Sequence, residues 1–326
     1  MAPPAYRVED RSILLPLYRR ALIDPLLPHI PARVSPNAIT HAGHVINLVG
    51  LAQLLALRPA RGAPFYLAAL TLHLHVWCDN ADGGHARRTG QCSPMGEFLD
   101  HGLDALNVVY IAMLSCLALD VPPWGWIALT LIIPSAASVT FWEQSHTGVF
   151  RLGLLNQVEA AIVLSLQLVL AGALGRDFST RLSLGGVTLQ AALLAWSITQ
   201  IGVGILRSLV RGARHEPAAL ASIAPLGAFN AAVGAGWATG AVSLPWAVAV
   251  GAVGNVFFGV RMLVRRMGHE PPRVEPSMLG ASVALGLAAT LPRDPWGDAL
   301  AALIATALAL GCARDGREGV RRSLRG

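Results

Sequence analysis

Runs of about 17 to 25 apolar residues, set off by short polar stretches, recur along the whole chain, and ten can be placed. They lie near residues 39–57, 63–80, 97–119, 123–145, 157–175, 184–206, 217–240, 243–264, 276–292 and 295–313. Each is close to the ~20 residues that a helix needs to cross ~30 Å of hydrocarbon, where only helices and closed barrels satisfy their own backbone. The pattern predicts an all-α polytopic membrane bundle of about ten spans. No polar stretch between the runs is long enough for a separate soluble domain, and no cleavable signal is expected. The chain therefore divides into an N-terminal interfacial segment (1–38), a membrane domain (39–313) and a basic tail (314–326).

Before the first run, "RSILLPLYRRALIDPLLPHIP" (Arg11–Pro31) mixes Leu and Ile with Arg19, Arg20 and Asp24, and prolines interrupt it. It is too broken to cross and amphipathic enough to lie on the membrane surface. "VSPNAIT" then opens the first span, with Asn37 as its expected helix cap. That span carries His41, His44 and Asn47 at helical spacing, facing either a partner helix or a wet cavity. In the second span His73 and His75 point to different faces of the helix and do not make a joint metal site.

Composition agrees with a membrane protein. Of 326 residues 54% are hydrophobic and 13% charged, with a mean hydropathy of +0.52, against roughly 25% charged in a soluble domain. The net charge of +6 comes entirely from arginine, since the chain has no lysine. In a membrane protein this bias reports orientation rather than a nucleic-acid partner. With the N-terminus inside, twenty of the 25 arginines fall on the inner side. Both termini are then expected in the cytoplasm. Arginine-only basicity and alanine-rich spans point to a GC-rich bacterial source, and so to an inner membrane. Cys78, Cys92, Cys116 and Cys312 have no paired spacing and are expected to pack as small apolar residues rather than form a disulfide or zinc framework.

Charge is concentrated in "CDNADGGHARRTGQCSPMGEFLDHGLD", Cys78–Asp104. Its spacing is D-x2-D-G-x2-A-R-x8-G-x3-D-x3-D, formed by Asp79, Asp82, Gly83, Ala86, Arg87, Gly96, Asp100 and Asp104. Asp79 and Asp82 share one helix face, as do Asp100 and Asp104, and a short loop can bring all four carboxylates to one depth. Unpaired, they would repel one another; hard divalent cations resolve that conflict. Two ions of Mg2+ or Mn2+ are the usual device for an in-line phosphoryl displacement. Gly83 and Ala86 permit a nucleotide to approach the backbone, Gly96 permits close helix contact, and Arg87 can pair with phosphate oxygens. Asp79, Asp82 and Asp100 are expected to hold metal, while Asp104 completes a second metal site or acts as base. His101, next to these acids and four residues after Glu97, is the first choice for general base, with Glu97 orienting its ring. Alternatively His101 ligates metal or hydrogen bonds the loop. A second polar cluster, in "FWEQSHTGVFRLGLLNQVEA", offers Glu143, Gln144 and Glu159 for an ammonium head group, with Trp142 as a π face. Helix capping explains those acids almost as well.

The spacing resembles the CDP-alcohol phosphotransferase signature, and its wording is most like the choline/ethanolamine phosphotransferase branch. "YRVEDRSILLPLY", "SPNAIT" and "FWEQSHTGVFRLGLLNQVEA" resemble segments of that branch in the same order. Gly84 and His85 depart from it, where the branch commonly has Lys and Gln, and so does the "LNQVEA" wording. The resemblance implies transfer of phosphocholine or phosphoethanolamine from a CDP-alcohol to a lipid hydroxyl such as that of diacylglycerol, with release of CMP. It implies CDP contacts at Asn37, Asp82, Gly83, Ala86, Arg87 and Gly96, and a homodimer. The rival within the same fold uses CDP-diacylglycerol as donor to a small alcohol. A cation transporter or a non-catalytic scaffold accounts less well for four acids grouped at one interface.

Overall fold

The computed structural model describes residues 7–153, 156–290 and 296–323. Its helices are α1 (Leu15–Tyr18), α2 (Pro36–Leu57), α3 (Ala63–Thr89), α4 (Pro94–Leu119), α5 (Pro123–Thr147), α6 (Gln157–Leu174), α7 (Phe178–Arg181), α8 (Leu189–His215), α9 (Leu220–Ala238), α10 (Leu244–Met267), α11 (Pro276–Ala288) and α12 (Trp296–Ser323). The protein is an all-α polytopic membrane bundle. Each of the ten apolar runs overlaps one of these helices. Among the described residues, eight helical stretches are long and apolar enough to cross a membrane. The two that fall short do so for different reasons. α3 is 27 residues long, but its C-terminal part from residue 79 onward carries Asp79, Asp82, Arg87 and Arg88. α11 has 13 residues, about 20 Å at 1.5 Å per residue, less than the hydrocarbon thickness. Residues 291–292 and 295, expected at the ends of the last two spans, lie outside the described residues.

Helix ends follow local chemistry. Pro36 and Pro94 occupy the first turns of α2 and α4, where no amide hydrogen bond is lost. Ser35 caps α2 by accepting from the Ala38 amide at 3.2 Å, so the expected cap at Asn37 is corrected: Asn37 is already inside the first turn. Ser93 caps α4 through the Gly96 amide at 3.0 Å. α3 stops at Gly90, whose φ of 69° suits a residue without Cβ. The run expected to start at 184 begins as a hairpin instead. Ser183 pairs with Thr188 and Leu184 with Val187 across Gly185 and Gly186, both at positive φ, and α8 follows.

The chain forms two compact units. Of the described residues, those within Val8–Val121 and Arg151–Trp196 form the N-terminal unit, and those within Pro122–Phe150 and Ser197–Gly326, together with Arg7, form the C-terminal unit. In the N-terminal unit α3 packs against both α2 and α6. Two glycines bring α2 close to α3: a Cβ on Gly43 would lie 2.7 Å from Cys78 Cβ, and one on Gly50 1.9 Å from Thr71 Oγ1. The segment before α2 is a string of short helical turns with Tyr18 and Ile23 buried. Ile13, Leu17, Leu22 and Leu26 are exposed, as a surface-lying segment requires.

In the C-terminal unit, Ser135 of α5, Asn230 of α9 and Asn255 of α10 form a closed hydrogen-bonded triangle with contacts of 2.8 to 3.0 Å. α10 packs closely on its neighbours through Gly251 and Gly254, where an added Cβ would meet Leu131 and Phe229. α12 differs from expectation. Residues 314–323 continue the helix instead of forming a solvated tail, because Asp315 is buried against Arg261 at 3.0 Å and Arg322 bonds both Glu318 and Glu270. Residues 324–326 lie outside the described set.

Candidate active site

All four signature aspartates belong to the N-terminal unit, two near the end of α3 and two near the start of α4. Their charges act on one another. Asp79 is felt by Asp82, Asp100 and Asp104, and Asp82 is felt by both Asp100 and Asp104. Arg87 partly offsets the charge of Asp82. Asp79 Oδ1 and Asp100 Oδ1 are buried without a hydrogen-bond partner. Gathered acids with orphaned buried oxygens fit hard divalent cations, which supply the missing positive charge and accept those lone pairs.

Neighbouring side chains orient the acids. Thr40, on α2, donates to Asp82 Oδ2, and the Gly83 amide donates to Asp82 Oδ1 at 2.5 Å. Gln157, the first residue of α6, donates to Asp79 Oδ2 at 2.7 Å and accepts from Asn80 at 3.1 Å. Neither Thr40 nor Gln157 was singled out by sequence. Thr40 lies four and seven residues before His44 and Asn47, so the buried polar stripe of α2 is Thr40–His44–Asn47. His41, expected on that stripe, is exposed. Asn47 donates to Asn107 of α4 at 2.7 Å. His44 and His75 join Asp79 and Asp104 in a group whose ligand atoms all lie within 4.8 Å of one another. His73 instead faces the Tyr18 ring at 6.4 Å.

His101 is buried on α4 beside Asp100, with Glu97 one turn earlier. The expected CDP-contact positions converge from two elements. A Cβ on Gly96 would lie 3.4 Å from Asn37 Oδ1, so the start of α4 approaches the start of α2 there. Gly83 lies one turn before the exposed Arg87 and next to its guanidinium, and Ala86 is buried. The departures at Gly84 and His85 have a local role. Leu27 would be 3.0 Å from a Cβ on Gly84, and His85 Nε2 is 2.8 Å from the Val34 carbonyl oxygen. Both hold the segment before α2 against α3.

The four residues expected at a head-group site fall in different units. In the C-terminal unit Trp142 is fully buried, donates to Ser222 at 2.8 Å and packs against Gly212, where a Cβ would approach the ring to 2.3 Å. Glu143 receives two hydrogen bonds from Arg211, at 2.5 and 2.7 Å. Gln144 is buried with neither amide atom hydrogen bonded. Glu159, in the N-terminal unit, accepts from Ser12 Oγ and from the Ile13 and Leu14 amides at 2.7 to 2.9 Å, and closes the capping box of α6. For Glu159 the geometry is that of a cap.

Residues 33–201, about half the chain, match the CDP-alcohol phosphatidyltransferase family. The chain belongs to this family. Among relatives, it is 31% identical over 178 residues to cholinephosphotransferase 1 of Danio rerio, covering 51% of this chain and 45% of that protein. It is 33% identical over 154 residues to cholinephosphotransferase 1 of Homo sapiens, covering 45% and 38% respectively. A CDP-diacylglycerol--serine O-phosphatidyltransferase of Encephalitozoon cuniculi is 31% identical over 163 residues, covering 48% and 42%. The matched region thus spans less than half the length of each of these three relatives. It includes every signature aspartate, His101 and Gln157, and ends inside α8.

Proposed function

We propose that the protein transfers phosphocholine or phosphoethanolamine from a CDP-alcohol to the hydroxyl of a lipid such as diacylglycerol. The observation that carries this reading is the folding of the eight-position signature into one carboxylate cluster with His101 beside it, in a family member whose relatives include cholinephosphotransferases. The lipid oxygen forms a bond to the phosphorus bearing the alcohol, the phosphorus–oxygen bond to CMP breaks, and the hydroxyl proton passes to a ring nitrogen of His101. Glu97 orients that ring, and Asp104 is the second choice of base. Asp79, Asp82, Asp100 and Asp104 would hold two divalent cations, Mg2+ or Mn2+. When bound, these supply charge stabilisation at the phosphoryl oxygens and orient the pyrophosphate. Asn37, Asp82, Gly83, Ala86, Arg87 and Gly96 contact the CDP moiety. The arginine distribution supports a cytoplasmic side for the carboxylate cluster and both termini, the arginine-only basicity supports a bacterial inner membrane, and the family resemblance supports a homodimer as the working assembly.

The Encephalitozoon relative keeps a second reading in play, with CDP-diacylglycerol as donor to a small alcohol. One assay separates the two. Purified protein in detergent with magnesium is offered CDP-choline or CDP-ethanolamine plus diacylglycerol, and in parallel CDP-diacylglycerol plus serine or glycerol phosphate. CMP released only with the first pairs, and only when diacylglycerol is present, supports the proposal and fixes the head group. Release confined to CDP-diacylglycerol transfers the protein to the rival branch.

A further inference from the structure

His44 of α2 is 6% exposed and His75 of α3 is fully buried. Gly43 and Gly50 draw the two helices together until the imidazole rings meet edge to face, with centroids 4.7 Å apart and planes at 63°. None of the four ring nitrogens makes a hydrogen bond of ordinary length and angle, the nearest approach being between His75 and the Gly43 backbone. Leaving buried polar groups unsatisfied is costly, so such a pair calls for a ligand. The ligand is indicated by what lies next to it. His75 is one turn before Asp79 on the same helix face, and one donor atom each from His44, His75, Asp79 and Asp104 lies within 4.8 Å of all the others. The other histidines of these two helices are placed elsewhere, His41 exposed, His73 against Tyr18 and His85 against the Val34 carbonyl.

We propose that His44 and His75 convert the Asp79–Asp104 end of the carboxylate cluster into a mixed nitrogen and oxygen metal site that takes a zinc-class transition cation in preference to magnesium. The proposal rests on the metal-holding role assigned above to Asp79 and Asp104, and replaces the Mg2+ or Mn2+ given there to one of the two ions by a zinc-class ion. Carboxylates alone suit magnesium, which demands octahedral oxygen ligation and retains its waters. Two imidazoles and two carboxylates form the four-ligand set that zinc and cobalt accept, and imidazole favours the later first-row metals. Asp82 and Asp100 lie outside this group and keep oxygen character. The cluster would then hold two chemically different ions.

Cobalt is the probe. Full-length protein in detergent is stripped with a chelator, then titrated with Co2+ in millimolar magnesium while bound metal and the visible spectrum are followed. The expected result is one tightly held cobalt per chain with the intense bands of low-coordinate geometry. His44→Phe and His75→Phe, checked for an unchanged thermal midpoint, should weaken cobalt binding by ~100-fold or more, beyond the usual effect of losing a ligand-orienting partner. If either variant fails to fold, pulsed electron paramagnetic resonance of the Mn2+-loaded wild type should still show 14N coupling from imidazole. Displacement of cobalt by magnesium, or absence of nitrogen coupling, overturns the proposal. CMP release in magnesium alone is scored separately. Failure of that assay with the cobalt site intact counts against the assigned reaction and leaves the metal site standing.

Discussion

At the scale of single residues, the proposed chemistry turns on His101. Replacing it by alanine should lower turnover in the CMP-release assay by roughly 10²- to 10⁴-fold, the range for losing a general base, with little change in thermal midpoint. A loss below tenfold would shift the role of base to Asp104. Gln157 supplies a second test because, among the described residues, its side chain bonds Asp79 and Asn80. Gln157→Leu removes the donor that fixes one oxygen of Asp79, so the divalent-cation concentration for half-maximal activity should rise by about 10- to 100-fold while saturated turnover changes less. An unchanged cation requirement would show that Asp79 is oriented by other means. The aspartates and His101 were legible because their spacing lies in one stretch of 26 residues, Asp79–Asp104. Thr40 and Gln157 were not legible, since they reach the cluster from positions 42 and 78 residues away along the chain. Only the packing of α2 and α6 on α3 brings them there.

At the scale of elements, close packing of α2 on α3 positions Thr40 and His44. Gly50→Ala would drive a methyl group into Thr71 and should cost ~1–3 kcal/mol, with lower activity, because the shifted helix carries both side chains with it. Gly280→Ala in α11 meets nothing within 4 Å and should be neutral or stabilising by up to about 1 kcal/mol. Equal effects of the two substitutions, read as thermal midpoints, would rule out steric contact as the cause. The helices themselves were legible, because ten apolar runs of membrane length leave the backbone little alternative. Their ends were less so. Polar residues that looked like loop continue α3 to Thr89, and apparent tail continues α12 to Ser323, since Arg88 donates to the Ile30 carbonyl and Arg322 to Glu270 across their units. Glu159 was ambiguous for the same reason: its bonding partners Ser12, Ile13 and Leu14 lie some 145 residues earlier.

For the whole molecule, the family match and the N-terminal unit largely coincide, residues 33–201 against Val8–Val121 and Arg151–Trp196. The part of the chain that carries the signature also carries its electrostatic strain. Four carboxylates that act on one another, two with orphaned buried oxygens, favour opening of that unit unless cations are bound. Binding to the native state alone stabilises it by mass action. Chelation should therefore lower the thermal midpoint of the wild type. Asp100→Asn removes one negative charge while keeping the side-chain size, so in chelator it should melt above the wild type by a few degrees, where ~1 kcal/mol corresponds to about 2–4 °C. The same variant should respond less to added magnesium and release little or no CMP. Greater stability with lost activity is the expected signature of acids kept together for function rather than folding. If the wild type melts at one temperature with and without divalent cations, the carboxylates are neutralised by other means and the two-ion assignment fails.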